Sequence, residues 1–279
     1  MSFEAKLAAV IGWPVRQSVS PVLHSHWLKQ HGIKGAYVAL PIEPANFGRC
    51  VAALPLMGFA GANVTVPHKE AAFALASSLD EDSRATGAVN TLVFNGETIA
   101  GMNTDVRGFA ASLTETLGAD TVQEGPAALL GAGGAARAVV LALQRGGSPE
   151  IRILNRTPAR SEALNRSAGG ALRTVTWGDW HAGLTDAALL INTTSLGMTG
   201  NPALEITLDH LPRQAAVADI VYNPLETDLL RAARARGHRT MDGLGMLMHQ
   251  AVPAFAAWFG VTPKVTPELR AELERALGG

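Results

Sequence analysis

One lysine stands where a helix start disfavours it. The stretch GANVTVPHKEAA, residues 61–72, runs an alternating strand pattern into Pro67 and sets Lys69 on the first turn of the helix that follows. A cation there opposes the helix dipole, at a cost of roughly 0.3 to 1 kcal/mol. The chain has only five lysines, Lys6, Lys29, Lys34, Lys69 and Lys264, and its other basic side chains are arginines. Chemistry, rather than local propensity, is the better reason for an ammonium at this place. Small polar side chains stand at the expected strand ends around it: Ser18, Ser20, Asn63, Thr65, Asn90, Asn103 and Asp105. The carboxyl ends of parallel strands are where such sheets bind ligands. Several of these residues also have plain structural readings: Ser20 as an N-cap, Asp105 as the cap of a helix beginning at Val106, Thr65 as a strand former. Taken together they form a ring of hydroxyls and amides suited to a polyhydroxylated small molecule.

A second set lies in the other half of the chain. GAGGAAR, residues 131–137, follows an apolar strand and opens a helix, giving G-x-G-x-x-A at Gly131, Gly133 and Ala136. In a strand-turn-helix setting, such a loop lets backbone N–H groups approach a pyrophosphate at the helix N-terminus. The next strand ends in ILNRTPAR, where an NAD site would place an acid for the ribose hydroxyls. Here Asn155 is followed by Arg156, Thr157 and, one turn on, Arg160. Two guanidiniums and no acid predict a pocket for the 2′-phosphate of NADP. The plainer alternative is that Thr157 caps its helix and both arginines are solvated.

Positioning these groups needs parallel α/β layers, and the pattern supplies them. LAAVIG, AYVAL, ANVTV and VNTLVF read as strands, Ser20-Pro21 as a helix start and Gly32 as its stop. Asn95-Gly96 signals a hairpin, so the return strand ETIAG makes the first sheet mixed. After a helix VRGFAASLTETLG the alternation restarts with AALLGAG, EIRILN, LRTVTW, ALLINTT and AVADIVY, then a helix ETDLLRAARARG. Five or six strands with crossovers make a doubly wound sheet. The expectation is an α/β protein of two domains: a mixed α/β domain over residues 1–105, and a Rossmann-type domain over 106–251. The helices of 252–279 are expected to pack back on the first.

Composition narrows the partners. Across 279 residues the net charge is -1, with 47% hydrophobic and 17% charged residues, so no basic field invites nucleic acid or an anionic membrane. Residues 126–143, the longest apolar run, are broken by Arg137 and three glycines and read as strand, turn and helix rather than a membrane span. Glu4 and an early Gly12 and Pro14 argue against a secretory leader. The one cysteine, Cys50, has no partner for an intramolecular disulfide; a buried thiol in a reducing compartment is the expectation. His24 and His26 are two apart on a helix, not three or four, and no metal site is expected.

Across essentially its whole length the sequence resembles the shikimate dehydrogenases. The matching segments are VIGWPVRQSVSPVLH, GFAGANVTVPHK, GAVNTL, GMNTDVRGF, GAGGAAR, NRTPAR, INTTSLGM, DIVYNP and DGLGMLMHQA. The resemblance implies reversible, NADP-dependent reduction of 3-dehydroshikimate to shikimate, in aromatic amino acid biosynthesis and in the cytoplasm, by a monomer or homodimer. It implies Lys69 and Asp105 as the catalytic pair, and Ser18, Ser20, Asn63, Thr65, Asn90, Tyr222 and Gln250 around the substrate. NADP(H) would lie on Gly131, Ala132, Gly133, Gly134 and Ala135, with Asn155, Arg156, Thr157 and Arg160 at the 2′-phosphate. Thr193, Met198, Val221 and Gly243 would lie towards the nicotinamide. Thr86 departs from the pattern, standing where the family commonly has a larger aliphatic residue, and Asp228 stands where it often has proline. Relatives acting on quinate or amino-shikimate, and a non-catalytic NADP-binding regulator, are the alternatives.

Overall fold

A computed structural model describes residues 6–96 and 98–278; Glu4, and Glu97 at the start of the return strand, lie outside the described residues. The chain divides into two compact units, one of Met1–Thr104 with Met248–Gly279, the other of Asp105–Leu247.

In the first unit β1 (Lys6–Gly12), β2 (Gly35–Pro41), β3 (Phe59–Val64), β4 (Ser78–Leu79), β5 (Thr91–Asn95) and β6 (Thr98–Met102) form a sheet ordered β2-β1-β3-β5-β6-β4. β2, β1 and β3 run parallel, while β5 is antiparallel to both β3 and β6. The sheet is therefore mixed, and Gly96 turns the hairpin at φ +60°. Alternate residues face opposite sides. Ala9, Ile11, Ala62, Val64 and Leu92 join Phe47, Val51 and Leu54 in one core cluster, against which a half-buried Cys50 packs. The cysteine is thus less enclosed than the apolar run around it suggests: it stands mid-way along the short helix Phe47–Ala53, whose buried residues are Phe47 and Val51.

Asn63 and Gly61 alternate onto the other face. There a side chain at position 61 would come within 2.0 Å of the Trp258 indole nitrogen, so only glycine fits. That indole lies on the strand and donates to the Leu92 carbonyl at 2.9 Å, which anchors the helix Gly243–Phe259. The last helix, Pro267–Gly278, is held to helix Ser20–Gln30 by His26 and Glu272 at 2.6 Å and buries Leu269 and Leu273.

In the second unit β7 (Ala127–Leu130), β8 (Ile151–Asn155), β9 (Leu172–Thr176), β10 (Leu189–Asn192), β11 (Ala216–Asp219) and β12 (Arg239–Met241) form an all-parallel sheet ordered β12-β11-β10-β7-β8-β9. This is the doubly wound order. Both faces are covered: Ala127 and Leu129 belong to one core cluster, Ala128 and Leu130 to another. β12 is a sixth strand beyond the five segments that the sequence pattern marks. Its three residues are too few to show a period. The helix before it is Asp228–Ala235, shorter than 226–237, because Thr227 caps it by accepting from the Leu230 N–H at 3.3 Å.

Among the described residues, each unit buries a titratable group whose charge its surroundings oppose. His24 is fully buried, and neither ring nitrogen makes a hydrogen bond. Burial pushes its pKa down from 6.5 to about 3; Asn63 lies near enough to oppose the shift, but burial decides it. Asp219 at the end of β11 is raised from 3.8 to about 6 by burial, against the opposing hydrogen bonds from Val221, Thr227 and Asn192. The signs differ. Below pH 6.5 the unfolded chain binds a proton that native His24 refuses, so stability falls as pH drops towards 3. Between about pH 4 and 6 native Asp219 keeps a proton that the unfolded chain releases, so stability falls as pH rises.

Urea unfolding from about pH 4 to 7 separates the two. The stability gap between His24→Phe and wild type should shift in favour of the variant as pH falls below 6.5. That for Asp219→Asn should shift in favour of the variant as pH rises from about 4 to 6, by on the order of 2 to 3 kcal/mol. A gap independent of pH in either variant would mean that the group does not titrate as assigned.

Candidate active site

Lys69 is held by its backbone. β3 ends at Val64, and the turn after it is closed by Thr65 N–H to the Ile11 carbonyl (2.8 Å) and His68 N–H to the Thr65 carbonyl (2.9 Å). His68 is buried; its Nε2 donates to the Ile42 carbonyl at 2.7 Å and its ring stacks on Phe47. Helix Lys69–Leu75 then begins, and the Lys69 carbonyl accepts from the Val89 N–H at 3.0 Å. The half-buried lysine is thus fixed one residue from Asn90 in the bonding pattern.

Asn90 is the hub of the polar set in the first unit. Its Oδ1 accepts from the Thr104 N–H at 2.8 Å, and its Nδ2 donates to Thr104 Oγ1 at 2.9 Å and Gln250 Oε1 at 3.3 Å. Asn63 joins through Thr91, donating from Nδ2 to Thr91 Oγ1 (3.1 Å) and to the Asn90 carbonyl (3.3 Å). Both amide protons of Asn63 are engaged inside the protein and its Oδ1 accepts from the Tyr37 hydroxyl at 2.7 Å, so what it can still offer is the second lone pair of that oxygen. Ser18 and Ser20 are paired, Oγ to Oγ at 3.1 Å. Ser20 does not cap its helix: the helix starts at Ser20 itself, and no side-chain cap bond forms. The Thr65 methyl lies where a side chain on Gly12 would sit, 2.5 Å from that position, which makes glycine necessary there.

Asn103 turns elsewhere than the sequence suggests. Its Nδ2 donates to Thr86 Oγ1 (2.9 Å) and the Ala88 carbonyl (3.0 Å), so it braces the loop leading to Asn90. Thr86 supplies the hydroxyl for that brace and itself donates to the Asp82 carbonyl at 2.7 Å. Tyr37, Thr91 and Thr104 carry no signal in the sequence; as an aromatic and two threonines they read as ordinary strand and loop residues.

The second unit carries the other set at the carboxyl ends of its strands. Asp105, which the sequence reading groups with Lys69, follows β6 of the first sheet as the first residue of the second unit, buried on the first turn of helix Asp105–Leu117, where a carboxylate suits the helix dipole. After β7, Gly131 has φ +105°, and a side chain there would lie 2.9 Å from Thr193 Oγ1. Ala132 is buried beside it. Gly133 differs: a Cβ on it meets nothing within 4 Å, so no protein atom requires glycine and the loop is open for close approach. Gly134 and Ala135 start helix Gly134–Arg145, whose first turn has no side-chain cap and no acid. Ala136 is fully buried against the sheet. Uncapped N–H groups on an open glycine loop fit a pyrophosphate.

At the end of β8, Asn155 Nδ2 donates to the Thr157 carbonyl at 2.8 Å, shaping the turn that exposes Arg156, Thr157 and Arg160. Thr157 precedes helix Pro158–Ser167 but makes no side-chain cap bond, so the capping alternative is not realised. Thr193 Oγ1 donates to the Leu130 carbonyl at 2.6 Å and can only accept from a ligand. Gly243 N–H donates to the Val221 carbonyl, and a side chain at 243 would meet the Ile220 carbonyl at 2.1 Å, so packing explains this glycine. Met198 and Tyr222 are half-buried on adjoining loops, tied by the Thr199 N–H to the Asn223 carbonyl at 2.8 Å. Asp219, which the sequence reading passes over, braces that region through Asn192, Val221 and Thr227. Its signal is the acid inside the apolar run AVADIV.

Among the described residues, no three His, Cys, Asp or Glu side chains gather as a metal site, and no helix is long and apolar enough to cross a membrane.

Residues 10–92 match the family pattern described as the shikimate dehydrogenase substrate binding domain, and residues 114–200 match that of shikimate / quinate 5-dehydrogenase. Shikimate dehydrogenase (NADP(+)) of Methylobacterium radiotolerans is 53% identical over the full length of both chains. The crystal structure of shikimate 5-dehydrogenase from Thermus thermophilus in complex with NADP(H) and shikimate superposes with a TM-score of 0.84 at 35% identity, covering 98% of each chain. Quinate dehydrogenase from Corynebacterium glutamicum in complex with NAD gives a TM-score of 0.87 at 31% identity, over 96% of this chain and 98% of that one. On these matches the chain belongs to the shikimate dehydrogenase family.

Proposed function

We propose that the protein catalyses the reversible, NADP-dependent reduction of 3-dehydroshikimate to shikimate. The observation that carries this reading is the buried network that gathers Asn63, Asn90 and Gln250 next to the strand end fastening Lys69. Reduction of a ketone places negative charge on its oxygen and calls for a proton there. The Lys69 ammonium stabilises that charge and delivers the proton, a general-acid contribution of about 10²- to 10⁴-fold. Asp105 is its catalytic partner. Ser18, Ser20, Asn63, Thr65, Asn90, Tyr222 and Gln250 bind the ring substituents. NADPH, when bound, supplies the hydride. Gly131 to Ala135 receive its pyrophosphate, Asn155, Arg156, Thr157 and Arg160 its 2′-phosphate, and Thr193, Met198, Val221 and Gly243 its nicotinamide end.

Quinate as substrate with NAD is the neighbouring reading, drawn from the likeness to the quinate dehydrogenase. The end of β8 argues against its cofactor half. Asn155 replaces the usual acid, and both arginines are exposed beside it.

Lys69→Ala is expected to lower kcat at least a hundredfold, on the order of 3 kcal/mol, with a much smaller change in shikimate affinity. A variant with wild-type kcat and only a raised KM would make Lys69 a binding residue and remove the acid role. Cofactor choice is tested separately. Each guanidinium contact to the 2′-phosphate favours NADP by about 1.5 to 3 kcal/mol, so Arg156→Ala should raise the KM for NADP at least tenfold and leave that for NAD almost unchanged. Added salt should weaken NADP binding more than NAD binding. Comparable wild-type kcat/KM for the two cofactors would refute the arginine argument even if shikimate is oxidised.

A further inference from the structure

A buried phenol in the first unit has no part in the chemistry above. Tyr37 lies on the edge strand β2, only 4% exposed, and its hydroxyl donates to Asn63 Oδ1 at 2.7 Å. The ring is clamped: His24 stacks on it at 4.0 Å with the planes 9° apart, and Trp258 tilts against it at 6.0 Å. Phenylalanine would fill the same space. The hydroxyl therefore calls for its own explanation.

Two main-chain groups give that explanation, because a backbone carbonyl only accepts and a backbone N–H only donates. The Asn90 carbonyl faces Asn63 at 3.3 Å, so the Asn63 atom on that side is the nitrogen, and its oxygen faces Tyr37. Tyr37 must then be the donor. The Thr104 N–H reaches Asn90 at 2.8 Å, so the Asn90 atom on that side is the oxygen and its nitrogen faces Gln250 Oε1. Between these fixed ends, Thr91 accepts from Asn63 and donates to Asn90 Oδ1 at 3.1 Å. The donors thus run in one direction, from Tyr37 through Asn63, Thr91 and Asn90 to Gln250.

We propose that Tyr37 is a positioning residue for substrate binding: its hydroxyl completes the hold on the Asn63 amide that the Asn90 carbonyl begins, and through Asn63 and Thr91 it steadies the chain of bonds that reaches Asn90 and Gln250. The proposal rests on the reading of Asn63, Asn90 and Gln250 as the residues that bind shikimate. Without the hydroxyl, Asn63 Oδ1 is a buried acceptor short of its donor, the amide is no longer held from both sides, and the error is passed along the chain to the groups that meet the ligand.

Wild-type turnover of shikimate is measured first, so that a failed substrate assignment is read from the wild type and a failed role for Tyr37 from the variants. Tyr37→Phe should raise the shikimate KM about tenfold, with a smaller loss of kcat and an unchanged KM for NADP. Because Tyr37 acts through Asn63, the double variant Tyr37→Phe/Asn63→Ala should bind shikimate no more weakly by calorimetry than Asn63→Ala alone. A lowered melting temperature with wild-type shikimate KM would reduce Tyr37 to a packing residue and overturn the proposal. Losses that add in the double variant would also overturn it, since Tyr37 would then act independently of Asn63.

Discussion

A polar side chain buried against a sheet is tolerated only when its hydrogen bonds are complete, and this constraint organises the first unit. Asn63, Thr91, Asn90 and Thr104 are all at most 6% exposed, in a core otherwise built of alanine, valine, leucine and aromatic rings. Leaving one of their amides without partners would cost about 1 to 3 kcal/mol. Each is instead joined to the next, and the chain of bonds crosses from β3 to β5 and on to the helix that carries Gln250. The strand order follows from the same need. Only with β5 beside β3 can the Asn90 carbonyl receive both the Val64 N–H at 2.7 Å and the Asn63 side chain. A rigid network of this kind presents a binding surface with little orientation left to lose.

Tight approach of neighbouring atoms to glycine does the corresponding work in the second unit. An all-parallel sheet covered on both faces leaves its carboxyl ends as the open region. Gly131 and Gly243 are required there by neighbouring protein atoms, at Thr193 and at the Ile220 carbonyl. Gly133 is required by none, which separates a glycine that serves packing from one that keeps a surface open. Asp219 shows the cost of bracing such ends with a charge. It holds Asn192, Val221 and Thr227 together, yet its burial disfavours the ionised form.

Periodicity makes most of this legible in the sequence alone. The alternation of ANVTV and the apolar run of AALLGAG mark β3 and β7, although β3 runs from Phe59 to Val64 and stops short of Thr65. β4 and β12 escape because two and three residues carry no period. Residue type is a weaker guide than position. Ser20 and Thr157 have the composition of caps without capping, and Asn103 has that of a ligand-binding amide while bracing a loop. Tyr37 is the opposite case. In AYVAL an aromatic residue is what any half-buried strand would carry, and only the distance from its hydroxyl to Asn63 distinguishes it from phenylalanine.

A shared fold leaves the choice of cofactor to a few side chains. The NAD-bound quinate dehydrogenase superposes on this chain about as well as the NADP-bound shikimate dehydrogenase does, with TM-scores of 0.87 and 0.84. The sheet and glycine loop are therefore common to both and cannot select between phosphorylated and free ribose. What differs must lie where the adenine ribose is met, beyond the end of the strand after the glycine loop. In this chain the place proposed for it is the turn of Asn155 to Arg160. Its geometry is set by the Asn155 amide on the Thr157 carbonyl rather than by a carboxylate, so the two guanidiniums stand in solvent with no acid of that turn to neutralise them. A ribose with only hydroxyls gains little from such a turn; one that carries a phosphate dianion gains two charge-assisted partners.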